Sequence, residues 1–209
     1  MSNSNGTMSP DEFAAELDVS RETMDRLEVF EKLLRKWQKT INLVGTRTLN
    51  DIWRRHFLDC GQICKLTPLQ MKTVVDIGSG AGFPGLVVSI ISGCSVTLIE
   101  ADKRKAAFLR EVSRATFSNT IVLAERAEDI KASPADVVTV RAVAPIARLL
   151  ELSEPWVLPG GECYFLKGAS VEDELTDAKH FWDIKYELFP SLSSPEGTIV
   201  CVKEFKRVC

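Results

Sequence analysis

The stretch Val74-Val75-Asp76-Ile77-Gly78-Ser79-Gly80-Ala81-Gly82-Phe83-Pro84-Gly85 decides the fold. Apolar residues lead into it, glycines alternate through it, and Pro84 stands where a helix would begin. Glycine lets a backbone turn sharply and approach a ligand closely. Proline suits the first helical turn. The string therefore reads as strand, tight turn, helix. In an open α/β sheet the first such turn lies where nucleotide-like ligands bind.

Working outward, short apolar runs recur at 73–77, 95–99, 120–123, 136–140 and 162–166. Helical patterns fall between them, near 84–92, 103–115, 145–153 and 170–181. This alternation predicts an α/β fold, a mostly parallel sheet covered on both faces. Residues 183–189 and 197–205 are joined by a short Pro/Ser/Gly loop. That loop cannot make a parallel crossover, so the last two strands should be antiparallel. Upstream, residues 1–66 read as helical. Ser9-Pro10-Asp11-Glu12 opens one helix and Ser20 a second, with Leu27, Phe30, Leu34, Trp37 and Ile41 on one stripe. A third, regular helix is expected over 49–64, with Ile52, Trp53, Phe57, Cys60 and Ile63 inward. The expected organisation is an N-terminal helical region, 1–66, and a sheet core, 67–209, in one compact unit. The polar residues 1–8 are expected to be disordered.

Hydrophobic residues make up 45% of the 209, and charged ones 26%, which suits a soluble chain with one real core. The first residues have neither a basic nor an apolar segment, so no secretory signal is expected. The most apolar run, 86–91, is too short to cross a bilayer. No two of the six cysteines have C-x-x-C spacing and there are only two histidines, so no metal site is expected. The cysteines read as buried side chains in a reducing cytosol, with Cys209 exposed. The net charge of −3 argues, taken whole, against nucleic-acid binding. Its distribution argues the other way. Residues 32–55 carry seven basic residues against Asp51 alone, and 103–114 carry five against Glu111. Local positive fields of this kind can steer an anionic partner.

The acids around the loop narrow its ligand. A dinucleotide fingerprint wants a third glycine where Phe83 stands. Asp76, two residues before Gly78, is awkward beside a pyrophosphate but suits a sulfonium and an ammonium. Glu100, ending the second strand, can accept hydrogen bonds from two ribose hydroxyls. Ala127-Glu128-Asp129 follows the third strand and suits an adenine amino group. With Gly78, Gly80 and Gly82, these point to S-adenosylmethionine. The plainer alternative is a tight glycine turn with solvated acids.

The chain resembles the ribosomal RNA small subunit methyltransferase G family, also called glucose-inhibited division protein B. The residues that carry the resemblance are Lys36-Trp37, Ile41-Asn42-Leu43, Arg55-His56-Phe57-Leu58-Asp59, the loop from Asp76 to Gly85, and Glu100 with Lys103-Arg104-Lys105 and Phe108-Leu109. Further matches are Arg126-Ala127-Glu128, Arg141-Ala142 and Lys167-Gly168. Cys60 and Val140 depart from residues usual at those places. The resemblance implies a class I, Rossmann-like fold and methylation of guanine N7 in 16S ribosomal RNA, naked or in the 30S subunit. It also implies cofactor contacts at Gly78, Phe83, Ala127, Glu128 and Arg141.

That chemistry suits the residues. The tetrapeptide that serves exocyclic amines is missing, and no cysteine follows a proline as pyrimidine C5 chemistry would want. N7 has a lone pair and no proton, so positioning suffices and no general base is expected. Arg141, ending the fourth strand, should either meet the base through O6 alone or hold the cofactor carboxylate or a phosphate. Arg54, Arg55, His56, Lys103, Lys105 and Lys167 are the expected RNA contacts, with His56 lining the pocket and not acting as base. Trp37 and Trp53 are expected in the core and His180 at the surface. A small-molecule methyltransferase and a non-catalytic cofactor-binding module remain alternatives. A cytoplasmic monomer with no membrane contact is expected.

Overall fold

In the computed structural model, residues 6–141 and 144–208 are described. Cys209, Ala142 and residues 1–5 of the stretch expected to be disordered lie outside them. Met8 does not fit that expectation: its N–H donates to Asp51 Oδ1 at 2.8 Å.

Seven strands form one sheet: β1 (Thr73–Ile77), β2 (Ser95–Ile99), β3 (Thr120–Leu123), β4 (Ala135–Arg141), β5 (Val157–Lys167), β6 (Trp182–Pro190) and β7 (Thr198–Arg207). Their order is β3-β2-β1-β4-β5-β7-β6. The first five are parallel, and β7 runs antiparallel to both β5 and β6. The chain winds outward through β2 and β3, then returns to β4 on the other side of β1. This switch opens a crevice at the carboxyl ends of β1 and β4.

Alternate strand residues serve opposite faces. Val74, Val96, Leu98 and Val137 pack toward α5 (Gly85–Ser92) and α6 (Lys103–Thr116). Val75, Ile77, Ile99, Val138 and Val140 pack toward α7 (Ile146–Ser153) and α8 (Val171–Ala178). Every residue from Gly85 to Ile90 is buried, which explains why α5 is apolar on all sides.

The N-terminal helices α1 (Pro10–Leu17) and α2 (Arg21–Gln38) close over α5 and α6. Ser9 caps α1 in a reciprocal capping box with Glu12. Phe30 stacks on Phe83 with centroids 5.2 Å apart and lies 6.2 Å from Phe108. Arg26 Nε donates to the carbonyl of Thr116 at 2.7 Å, and Trp37 Nε1 to Glu111 at 3.0 Å. The helical region and the sheet thus share one core.

The third helix is not regular. It runs through a 3-10 segment, Thr46–Asp51, and a π-helical turn, Trp53–Leu58, into α3 (Asp59–Gly61) and α4 (Ile63–Leu66). The N–H of Asp59 reaches the carbonyl of Arg54, five residues back. The apolar spacing is helical whether turns are tight or wide, so periodicity did not see this. Strand β5 begins five residues before its expected start. A bulge absorbs Pro159-Gly160-Gly161, so Ala135 pairs with Val157 and Val137 with Glu162. Helix α8 stops at Ala178, and a turn closed by His180 N–H on Asp177 leads into β6. Among the described residues no helix is long and apolar enough to cross a membrane.

Candidate active site

The turn after β1 is built from backbone hydrogen bonds. Ser79 N–H donates to the carbonyl of Ile99 at 2.9 Å, and Gly82 N–H to that of Ser79 at 2.7 Å. Gly82 has φ +86°, and a Cβ there would lie 2.4 Å from Leu86 Cδ1. Only glycine fits that position. Gly80, at φ +57°, faces the other way: a Cβ on it would meet nothing nearer than Gly78 O at 3.8 Å. Gly78 is also left-handed, at φ +69°. The loop thus packs tightly behind and is open in front.

Asp76 does not project into the crevice as expected. It is 1% exposed, accepting from Thr139 Oγ1 at 2.9 Å and from Gly85 N–H at 3.1 Å. Burial pushes its carboxyl up to about 6, against the pull of those hydrogen bonds. It ties β1 to β4 and to the start of α5, so it shapes the loop from behind. Glu100 faces the loop instead. Its carboxylate accepts from Gly80 N–H at 2.8 Å and from Asp102 N–H at 2.7 Å. A carboxylate has acceptor sites beyond those two. Ala127 is buried in a 3-10 turn, and the exposed Glu128 beside it pairs with Arg148 at 2.7 Å. An open glycine face flanked by two acids fits the ribose and amino donors of S-adenosylmethionine. Phe83 offers that ligand little side chain, because its ring is 3% exposed among Phe30, Phe57 and His56.

Beside the loop, Arg141, His56 and Asp59 form one cluster. The Arg141 guanidinium lies 4.9 Å from the Phe83 ring centroid. Its Nη2 is 3.0 Å from His56 Nδ1 and its Nη1 is 3.4 Å from Asp59 Oδ2. Arginine only donates, so Nδ1 accepts and the imidazole proton sits on Nε2. Nε2–H donates to Thr48 Oγ1, 2.7 Å between the heavy atoms, and Thr48 in turn donates to the carbonyl of Gly45 at 2.6 Å. Burial, with Arg141 and Arg55 nearby, pushes His56 down to about 3. His56 is therefore neutral and engaged at both nitrogens, which suits a positioning residue and not a base. The π-helical turn presents His56 inward and leaves Arg55 exposed at the rim.

These side chains line a cavity of about 390 Å³, shared with Arg55, Lys167 and the loop before β7. Sequence reasoning missed Asp59, Thr48 and Ser193 as parts of this site. Asp59 stood four residues from Arg55 in the motif, but Ser193 gave no signal, because only the fold brings it 2.7 Å from Asp59.

The expected RNA contacts divide. Lys103 is exposed and Lys105 half-buried, and neither forms an ion pair among the described residues. Arg54 pairs with Asp51 at 3.4 Å. Lys167 departs from expectation. Its ammonium is bound to Glu174 at 2.6 Å and to the carbonyl of Ala144 at 3.0 Å, which engages it in the fold. Trp53 is buried and donates to Glu31 at 2.9 Å, while His180 is exposed.

A family model described as rRNA small subunit methyltransferase G matches residues 23–197. The chain belongs to the rRNA small subunit methyltransferase G family. It is 50% identical over 200 residues to the ribosomal RNA small subunit methyltransferase G of Rhodospirillum rubrum, covering 96% of this chain and 100% of that one. The Rhodospirillum centenum protein of the same name is 50% identical over 193 residues, covering 92% of this chain and 89% of its own. The fold is similar to that of MtNAS bound to S-adenosylmethionine, with TM-score 0.61 and 15% identity over 95% of this chain and 85% of that one. This member of the family thus has a class I, Rossmann-like fold.

Proposed function

We propose that this chain transfers the methyl group of S-adenosylmethionine to N7 of a guanine in small-subunit ribosomal RNA, acting as a cytoplasmic monomer. The family match over residues 23–197 carries the reading. The glycine loop, Glu100, Ala127 and Glu128 hold the cofactor, which supplies a methyl group made electrophilic by its sulfonium. Asp76 and Phe83 support the loop from behind. Arg55, Lys103 and Lys105 draw in the phosphate backbone, whose binding should weaken steeply with salt. His56 holds Arg141 facing the cavity. N7 attacks directly, so the protein moves no proton and its contribution is alignment of the two reactants.

The experiment is transfer from labelled S-adenosylmethionine to small-subunit rRNA or 30S particles that lack the modification, followed by mapping of 7-methylguanine. Label at one guanine N7 supports the reading. Label in small molecules with none in rRNA contradicts it.

A further inference from the structure

Resting on that reading, we propose that Asp59 reads the identity of the target base. The Asp59 carboxylate accepts guanine N1–H and the N2 amino group, while Arg141 donates to O6, which leaves N7 unbonded for reaction.

Three observations carry this. The first is the pairing itself. Asp59 and Arg141 meet at 3.4 Å with side chains 22% and 18% exposed, both on the wall of the 390 Å³ cavity. A charged pair in firm contact closes to about 2.7–2.9 Å, so these two stand side by side without locking together. A donor beside an acceptor complements O6 beside N1–H on guanine. Adenine presents the reverse, an amino group and then a lone pair, and its N1 would face the carboxylate unpaired. Rejection is therefore built into the same two groups.

The second observation is that Asp59 is aimed. Its Oδ1 accepts from Ser193 Oγ at 2.7 Å, and Ser191 Oγ stands 3.4 Å away. Gln62 braces both ends of this contact, donating to the carbonyl of Asp59 at 2.9 Å and to Ser191 Oγ at 3.0 Å. Among the described residues Oδ2 has only the loose contact with Arg141, and so keeps acceptor capacity.

The third is order. Arg141 touches Asp59 at 3.4 Å on one side, and its guanidinium lies 4.9 Å from the ring centroid of Phe83, the residue that ends the glycine turn. N1, O6 and N7 follow one another along the edge of guanine in the same order. A base held by Asp59 and Arg141 therefore turns N7 toward the loop. Such a grip needs the nucleotide out of its stack, as enzymes that modify bases commonly arrange.

The test replaces the target guanine with inosine, which keeps N7, O6 and N1–H but lacks the N2 amino group. Methyl transfer is measured for wild-type protein and for Asp59→Asn, each with guanine and with inosine RNA, alongside thermal unfolding and cofactor binding. Wild-type protein should lose about tenfold in kcat/KM on inosine, in line with one hydrogen-bonded contact to a base. Asp59→Asn should be slow on guanine and lose nothing further on inosine. A purely structural role for Asp59 would slow both RNAs and preserve their ratio, which would overturn the proposal. Equal rates on guanine and inosine for wild-type protein would overturn it too, whether or not the variant folds. No transfer to guanine RNA by wild-type protein would instead remove the functional reading beneath it.

Discussion

Replacing Asp76 with asparagine should stabilise the free protein at neutral pH. The side chain is 1% exposed, and burial lifts its carboxyl from 3.8 to about 6. At roughly 1.4 kcal/mol per tenfold change in acidity, keeping it ionised costs the fold about 3 kcal/mol. Between pH 4 and 6 the folded chain keeps a proton that the unfolded chain has released. The contribution of Asp76 to stability therefore falls as pH rises through that window, and stays low above it. Asparagine is isosteric and uncharged. Its oxygen can accept from Gly85 N–H, and its amide can donate to Thr139 Oγ1, which then acts as acceptor. Urea unfolding of both proteins at steps from pH 4 to 8 reads the effect. The variant should gain on the wild type by up to about 3 kcal/mol across the window, then level off. A stability difference that does not change with pH would refute the account of this buried acid.

Other substitutions probe other links. Phe30→Ala opens a hole between α2, the glycine loop and α6, and should cost about 3–5 kcal/mol by denaturation; a loss below 1 kcal/mol would show that the helical region does not share the core. Glu100→Gln should weaken S-adenosylmethionine binding about tenfold by calorimetry, because a charged acceptor becomes a neutral amide; unchanged affinity would place the ribose elsewhere. His56, held at about 3, should show neutral imidazole signals by NMR throughout pH 5–8. Because its folded pKa is depressed, its effect on stability is lost downward: below about 6.5 the unfolded chain takes a proton the folded one refuses. A midpoint near 6.5 in the folded protein would contradict the hydrogen-bonded chain from Arg141 to Gly45.

The sheet was legible because its signals are local. The runs at 73–77, 95–99 and 120–123 appear as β1, β2 and β3 with the expected bounds. The antiparallel end followed from one short loop. Features that depend on contacts across the fold were not legible. Asp76 and Glu100 are both acids at strand ends, yet one is held inward by Thr139 and Gly85 and the other faces the loop through Gly80 and Asp102, partners that only the fold brings together. Lys167 looked free because Glu174, its partner, lies on a different element. The expected strand at 162–166 began too late, because a bulge at Pro159-Gly160-Gly161 carries the strand back to Val157. The basic blocks and the acid Asp51 within one of them were visible in the sequence, but the pairing of Lys36 with Glu111 of the other block was not, because it joins two elements.

The most direct test of the central claim is nucleoside mass spectrometry of small-subunit rRNA from cells lacking their own enzyme of this family, with and without this chain. The account predicts that 7-methylguanosine returns at one position when the chain is expressed, and does not return with Arg141→Ala protein that remains folded. Restoration by Arg141→Ala at the wild-type level, or appearance of a different methylated nucleoside, would contradict it.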